Sequence, residues 1–300
     1  MKNKVFVGSI ITTLLAFMLY TVNLKQTKNA DIKIIGQSQK RNGNKSKSIK
    51  EPHTAEIEYP REVKITGGSK LVWAKKIKQT MGKKQSYQVY LKDLNNNQFA
   101  QVANISKAHS VNSVSRLFLL LTIYYQEQHH KLSSKTVIKV KKADVVKDEK
   151  ILQPGIGYGI TYLRQAMMNG SQTATNVLLR KVKLTQVNFV IKKMGLVDTK
   201  VKPKFVATTT AKDLAQIIIN LYQNKTLNRQ YSNRVLGVLS SVKNKPKIGQ
   251  TGSGLIYAIG DKKANVALIQ RGGHTYCMAI LSNSDHNFSQ LGKVVNKFFK

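Results

Sequence analysis

The chain predicts an α/β domain whose sheet draws strands from both ends of the sequence. Three observations predict it. Strand-like alternation appears around residues 88–102 and returns after residue 249. Helical periodicity dominates the stretch between them, and an amphipathic segment closes the chain. Hydrophobic residues make up 41% of the 300 residues, enough for a globular body. That length suits one large domain or two small ones, and no internal repeat is present.

Taken in order, Lys70 to Gly82 carries Leu71, Val72, Ala74, Ile77 and Met81, a helix-like spacing. Gln88 to Val102 reads as a hairpin with the Asn95-Asn-Asn run as its turn. Val114 to Gln128 is a strongly apolar helix. The middle region, about residues 129 to 205, contains helical segments at Tyr162–Met168 and Thr175–Val182, and Lys212 to Gln223 is a further amphipathic helix. Strands follow at Gly249–Tyr257, Asn265–Gln270 and Tyr276–Ser282. Asn287 to Lys300 closes as a helix bearing Phe288, Leu291, Val294, Val295, Phe298 and Phe299.

Fifty Lys+Arg stand against fourteen Asp+Glu, a formal net charge of +36. Such a surface concentrates polyanions: nucleic acid, teichoic acid or anionic lipid head groups. The alternative is a surface that is only soluble and basic. The basic run from Lys135 to Lys142 holds no aromatic residue, which disfavours a stacking platform for single-stranded nucleic acid. No specific nucleic-acid partner is expected.

The N-terminus bears on location. Lys2 and Lys4 precede an uncharged, mostly apolar run from Val5 to Leu24. Its length suits a signal peptide or a short membrane span. No Ala-x-Ala cleavage signature and no lipobox cysteine follow, so residues 1–24 read as an uncleaved signal anchor, with a secreted chain as the alternative. Lys25 and Lys28 lie just beyond the run, against the inward preference of basic residues. Either way the remainder is expected outside the cytoplasm. Residues 25–68 are polar and basic, and read as a disordered tether drawn to anionic wall polymer or lipid. The folded domain is expected over residues 69–300. Cys277 is the chain's single cysteine, so no internal disulfide forms, and its apolar setting reads as a buried strand.

Several stretches, in order, resemble the class A β-lactamases and their penicillin-binding relatives. Gln88-Val-Tyr-Leu-Lys-Asp-Leu looks like the opening hairpin. Ser113-Val-Ser-Arg116 stands where the family carries Ser-x-x-Lys at the start of a buried helix. Gly170-Ser-Gln-Thr-Ala-Thr-Asn looks like the Ser-Asp-Asn element, and Val206-Ala-Thr-Thr-Thr-Ala-Lys-Asp is similar to the segment after the omega loop. Gln250-Thr-Gly looks like Lys-Thr-Gly, and Arg271-Gly-Gly-His-Thr-Tyr like the turn between the last strands. The resemblance covers about residues 70 to 300. It implies a β-lactamase-like α/β fold, an antiparallel sheet flanked by helices with an all-α subdomain.

The same positions argue against the family's chemistry. Ser113 keeps the place of the nucleophile. Arg116 replaces the lysine base, and a guanidinium stays protonated in proteins. The serine that relays the proton falls on Gly170, and the next two positions hold Ser171 and Gln172. The substrate-binding lysine falls on Gln250, while Thr251 and Gly252 are kept. Between Asn176 and Thr208 the one acid is Asp198, so no deacylating glutamate is present and the omega loop is shortened. Removing a proton acceptor or relay lowers rate by about 10²–10⁴. Other registers are poorer. Ser240-Ser-Val-Lys243 opens no apolar helix, and Lys247 would need a bulge to reach the cleft.

His109, His129, His130 and His274 show no metal-ligand spacing, and no cofactor is expected; His129-His130 reads as a solvated helix tip. Gly155-Ile-Gly-Tyr-Gly lacks the context of a nucleotide loop. The expectation is a degenerate family member, a pseudoenzyme binding cell-wall polymer or an anionic lipid surface. Its remnant cleft at Ser113, Arg116, Gln172 and Thr251 would suit a peptidoglycan-like small ligand. The alternatives are a slow serine hydrolase, of β-lactamase or D-alanyl esterase type, acylated at Ser113, and a general polyanion binder acting through tether and surface.

Overall fold

In strand β2 (Tyr87–Asp93), Tyr87, Val89 and Leu91 enter one core while Tyr90 enters another. Strand β11 (His274–Ser282) does the same, with Tyr276, Met278 and Ile280 on one face and Cys277, Ala279 and Leu281 on the opposite one. Both faces of this sheet are therefore covered, as near-continuous apolar strands require. The computed structural model describes residues 62–111, 114–240, 246–249 and 254–299. The main sheet adds β1 (Lys64–Ile65), β3 (Phe99–Ala103), β9 (Leu255–Gly260) and β10 (Ala264–Arg271), in the order β1-β3-β2-β11-β10-β9. All neighbours are antiparallel. Both ends of the sequence meet at the β2–β11 pair, as the strand pattern predicts.

The β2–β3 turn uses the asparagine run, with Asn97 in the left-handed region (φ 61°) and Asn95 N–H bonded to Asp93 Oδ1 at 2.9 Å. Gly272 and Gly273, at φ 56° and 75°, form the tight β10–β11 turn, which demands positive φ at both positions.

Helix α1 (Leu71–Met81) and helix α8 (Phe288–Asn296) cover one face. Trp73, Ile77 and Met81 point inward at four-residue spacing, and Trp73 packs on Phe298 and Phe299. Leu71 and Val72 lie outside that stripe and are exposed. On the other face lie α2 (Ser115–Gln128), α3 (Ile160–Met168), α4 (Gln172–Val182), α5 (Leu184–Lys193), α6 (Ala211–Tyr222) and α7 (Arg229–Ser240). Leu117 to Leu121 of α2 are all buried, so this helix is the axis of the second core.

Two smaller sheets tie this half together. β4 (His109–Val111) pairs with β8 (Val206–Thr209), which pairs with β7 (Lys200–Lys202). β5 (Val137–Lys139) pairs with β6 (Gly157–Gly159). Residues 200–209 thus carry a β7–β8 hairpin paired with β4, the strand that precedes α2 in the chain.

Three expectations change. Residues 62–68 of the stretch read as tether belong to the fold, because Lys64 and Ile65 pair with Ala103 and Val102. The strand expected at Gly249–Tyr257 begins at Leu255, and Lys247–Gly249 forms a 3-10 turn instead. Helices α5 and α7 add to the segments expected. The signal anchor (1–24) and residues 25–61 of the tether lie outside the described residues. Among the described residues, no helix is long and apolar enough to cross a membrane.

Candidate functional site

The chain leaves β4 at Val111 and enters α2 at Ser115. Ser113, between them, lies outside the described residues, as do Gln250, Thr251 and Gly252. Of the expected site residues, Arg116, Gly170, Ser171 and Gln172 are described.

Arg116 stands half-buried on the first turn of α2, just before the apolar run Leu117–Leu121. Its Nη2 donates to the Gly170 carbonyl at 2.9 Å. Among the described residues this is its one hydrogen bond. Burial lowers its pKa, and the Glu149 and Asp261 carboxylates act against that shift. The result is a cation tied to the loop before α4.

Gly170 adopts φ +115°, a conformation that L side chains rarely take. An added Cβ would meet nothing closer than Arg116 Nη1 at 3.9 Å. Space for a relay serine therefore exists, but the backbone selects glycine.

Ser171 caps α4. Its Oγ accepts from Ala174 N at 3.0 Å and donates to Glu149 Oε2 at 2.8 Å. The donor and one acceptor position of the hydroxyl are thus engaged within the loop. Gln172 is partly occupied as well, with Nε2 on Asn176 Oδ1 at 3.2 Å.

The residue missed in the sequence is Glu149. Its carboxylate also accepts from Gln172 N at 2.7 Å and Thr173 N at 2.9 Å. It therefore closes the free N–H groups at the start of α4, where a negative charge is favoured. Burial alone would raise its pKa, but the bonds from Thr173, Ser171 and Gln172 outweigh that and hold it below the usual glutamate value. Asp144 ties the same loop to the side chains of α4. Arg180 Nη2 reaches Asp144 Oδ2 at 2.8 Å, and Asn176 Nδ2 donates to the Asp144 carbonyl at 3.0 Å. The available signal was an acidic group, Asp144, Asp148 and Glu149, in a chain with few acids.

The remaining candidates fall outside the cleft. Lys247 pairs with Asp285 at 2.9 Å, which removes it as a substitute for the cation expected at Gln250. Asp198 is exposed, and its N–H donates to Asp213 Oδ2 at 2.9 Å. Thr199 Oγ1 donates to the same oxygen at 2.8 Å, so this turn serves to anchor the hairpin on α6. Cys277 is fully buried, and burial pushes its thiol pKa well up. His274 Nδ1 sits 2.7 Å from Asp93 Oδ2, and His129 stacks on Tyr125.

The model of the β-lactamase enzyme family matches residues 73–299. The chain belongs to that family. Its structure is similar to that of PBP-A, with a TM-score of 0.68 at 15% identity over 77% of this chain and 97% of that one. It is also similar to the TLA-3 extended-spectrum β-lactamase, with a TM-score of 0.64 at 15% identity over 76% and 98%. A β-lactamase from Francisella tularensis gives 0.62 at 18% identity over 75% and 98%. At these identities the likeness establishes the β-lactamase-like fold. Among curated proteins the chain has no match.

Proposed function

We propose that this β-lactamase-family chain is a pseudoenzyme that binds anionic cell-wall material outside the cytoplasm. The observation that carries this reading is Arg116. Its guanidinium stands on the first turn of α2, bonded to Gly170 O, at the place where the family resemblance puts a lysine base. It cannot accept a proton from a hydroxyl, yet it retains donors for a carboxylate or phosphate. The net charge of +36 would gather such polymers around it.

The test is sedimentation of the full chain with purified wall polymer across a salt series. Retention that weakens with salt, and weakens further in Arg116→Met, supports cleft binding. Retention unaffected by Arg116→Met would leave the general basic surface, and no salt-sensitive retention would remove the proposal.

A second reading is a slow serine hydrolase acylated at Ser113. It draws support from the serine retained beside the start of α2. Acylation by a fluorescent penicillin, lost in Ser113→Ala, would replace the first reading with this one.

A further inference from the structure

An apolar groove lies between α5 and β7. Leu184, Ile191, Leu196, Val197, Val201 and Pro203 line it, around a cavity of about 690 Å³. That volume falls within the roughly 300–1,000 Å³ of small-molecule sites. The walls are fixed in place. Asn188 Nδ2 donates to the Val201 carbonyl at 2.8 Å, and Val201 N donates back to Asn188 Oδ1 at 3.0 Å. Val197 is 79% exposed at the mouth, an unusual position for a branched apolar side chain in a chain this basic.

The rim has one sign of charge. Lys192, Lys200 and Lys202 line the groove and are exposed, and no acid lines it. None of the three pairs with a carboxylate among the described residues. A second copy of this chain would bring like charges together, with +36 on each, so self-association is opposed. An uncharged apolar partner would leave the three ammonium groups unanswered.

We infer that this groove binds a single-chain anionic amphiphile, its hydrocarbon tail between α5 and β7 and its phosphate or carboxylate on the lysine rim. The tail supplies non-directional affinity, and the rim supplies the choice of head group. The site is separate from Arg116 and uses none of its residues. Its failure would leave the wall-polymer proposal standing, and the reverse holds equally.

The test uses the full chain and a photoactivatable dodecyl phosphate below its micelle concentration, with cross-linked peptides mapped by mass. Labelling is expected on residues 184–203. It should fall at least tenfold in Val197→Asp and in Lys200→Glu combined with Lys202→Glu, while Ile151→Asp, at an exposed apolar residue elsewhere, leaves it unchanged. Competition by unlabelled alkyl phosphates should strengthen roughly fourfold per added methylene until the groove is full. Butyl phosphate and neutral dodecyl maltoside should compete weakly. Labelling confined to residues 5–24, labelling spread over the surface, or equal competition by inorganic phosphate would overturn the proposal. Equal competition by the neutral maltoside would overturn its head-group half.

Discussion

At one end of α2 an arginine meets a backbone carbonyl; at the other end an arginine meets a buried carboxylate. Arg116 bonds Gly170 O and remains half-exposed. Arg164 is 6% exposed, lies 2.5 Å from Glu127 Oε1, donates to Thr161 Oγ1 at 3.0 Å and stacks over Tyr124 at 4.4 Å. Arg234 stands 3.9 Å from the other Glu127 oxygen, which has no hydrogen-bond partner. The same side-chain chemistry therefore has two uses. At the Glu127 end charge is neutralised inside the fold and serves its structure. At the Gly170 end the guanidinium is half-exposed and, among the described residues, bonds a backbone carbonyl.

Breaking the structural end should have the largest effect. Arg164→Met leaves the buried Glu127 with only the long contact to Arg234, a change worth about 3 kcal/mol of stability. Arg116→Met removes one hydrogen bond, worth about 0.5–1.5 kcal/mol. Denaturant midpoints of the two variants measure the gap, and equal losses would erase the distinction.

The next effect lies across the cleft. Gly170→Ser restores the type of side chain that the family resemblance places there, but forces it into φ +115°. A loss of about 1–3 kcal/mol is expected, read from thermal melts. Unchanged stability would mean that the loop re-forms freely, and that the missing relay is a simple one-residue loss.

Glu149→Ala should lower stability by about 1 kcal/mol, as removal of a helix N-terminal acceptor does. The sign with pH is defined. Because the folded-state pKa is depressed, the contribution is complete above the unfolded glutamate value of about 4.3 and is lost as pH falls through the folded value. Wild type and variant should therefore converge in acid. A difference that persists unchanged at low pH would show that Glu149 acts through packing rather than charge.

The smallest expected change is in Arg116→Lys. It restores Ser-x-x-Lys, yet Gln250 and Gly170 still lack the family's cation and relay. Penicillin hydrolysis should stay undetectable, since such groups act as a unit. Measurable turnover would place the whole defect in Arg116.

The fold was legible because its central strands are near-continuous apolar runs bounded by turn residues. Tyr87, Val89 and Leu91 against Tyr90 in β2, and the same parity in β11, encode a sheet buried on both faces. Helix α2 was legible from its unbroken apolar run. Helix α5 was less so, since Thr185, Val187, Val190 and Ile191 are β-branched and favour strands locally; packing against α2 and α4 decides the outcome. In α7, Gly237 and the serines weaken the helical signal. Arg116 and Gly170 were visible because a motif fixes their spacing. Glu149 was not, because its role arises from a loop that folds back onto α4 across sequence. The lysine-rimmed groove was invisible for the same reason: Lys192 and Lys200 converge only after the hairpin docks on α5.

Intact-mass spectrometry of the full chain after long incubation with a fluorescent penicillin, beside Ser113→Ala, tests the central claim most directly. With a guanidinium in place of the base, no adduct is expected on either protein. A stable adduct on the wild type that is absent from Ser113→Ala would contradict it, and would make this chain a slow acylating member of its family.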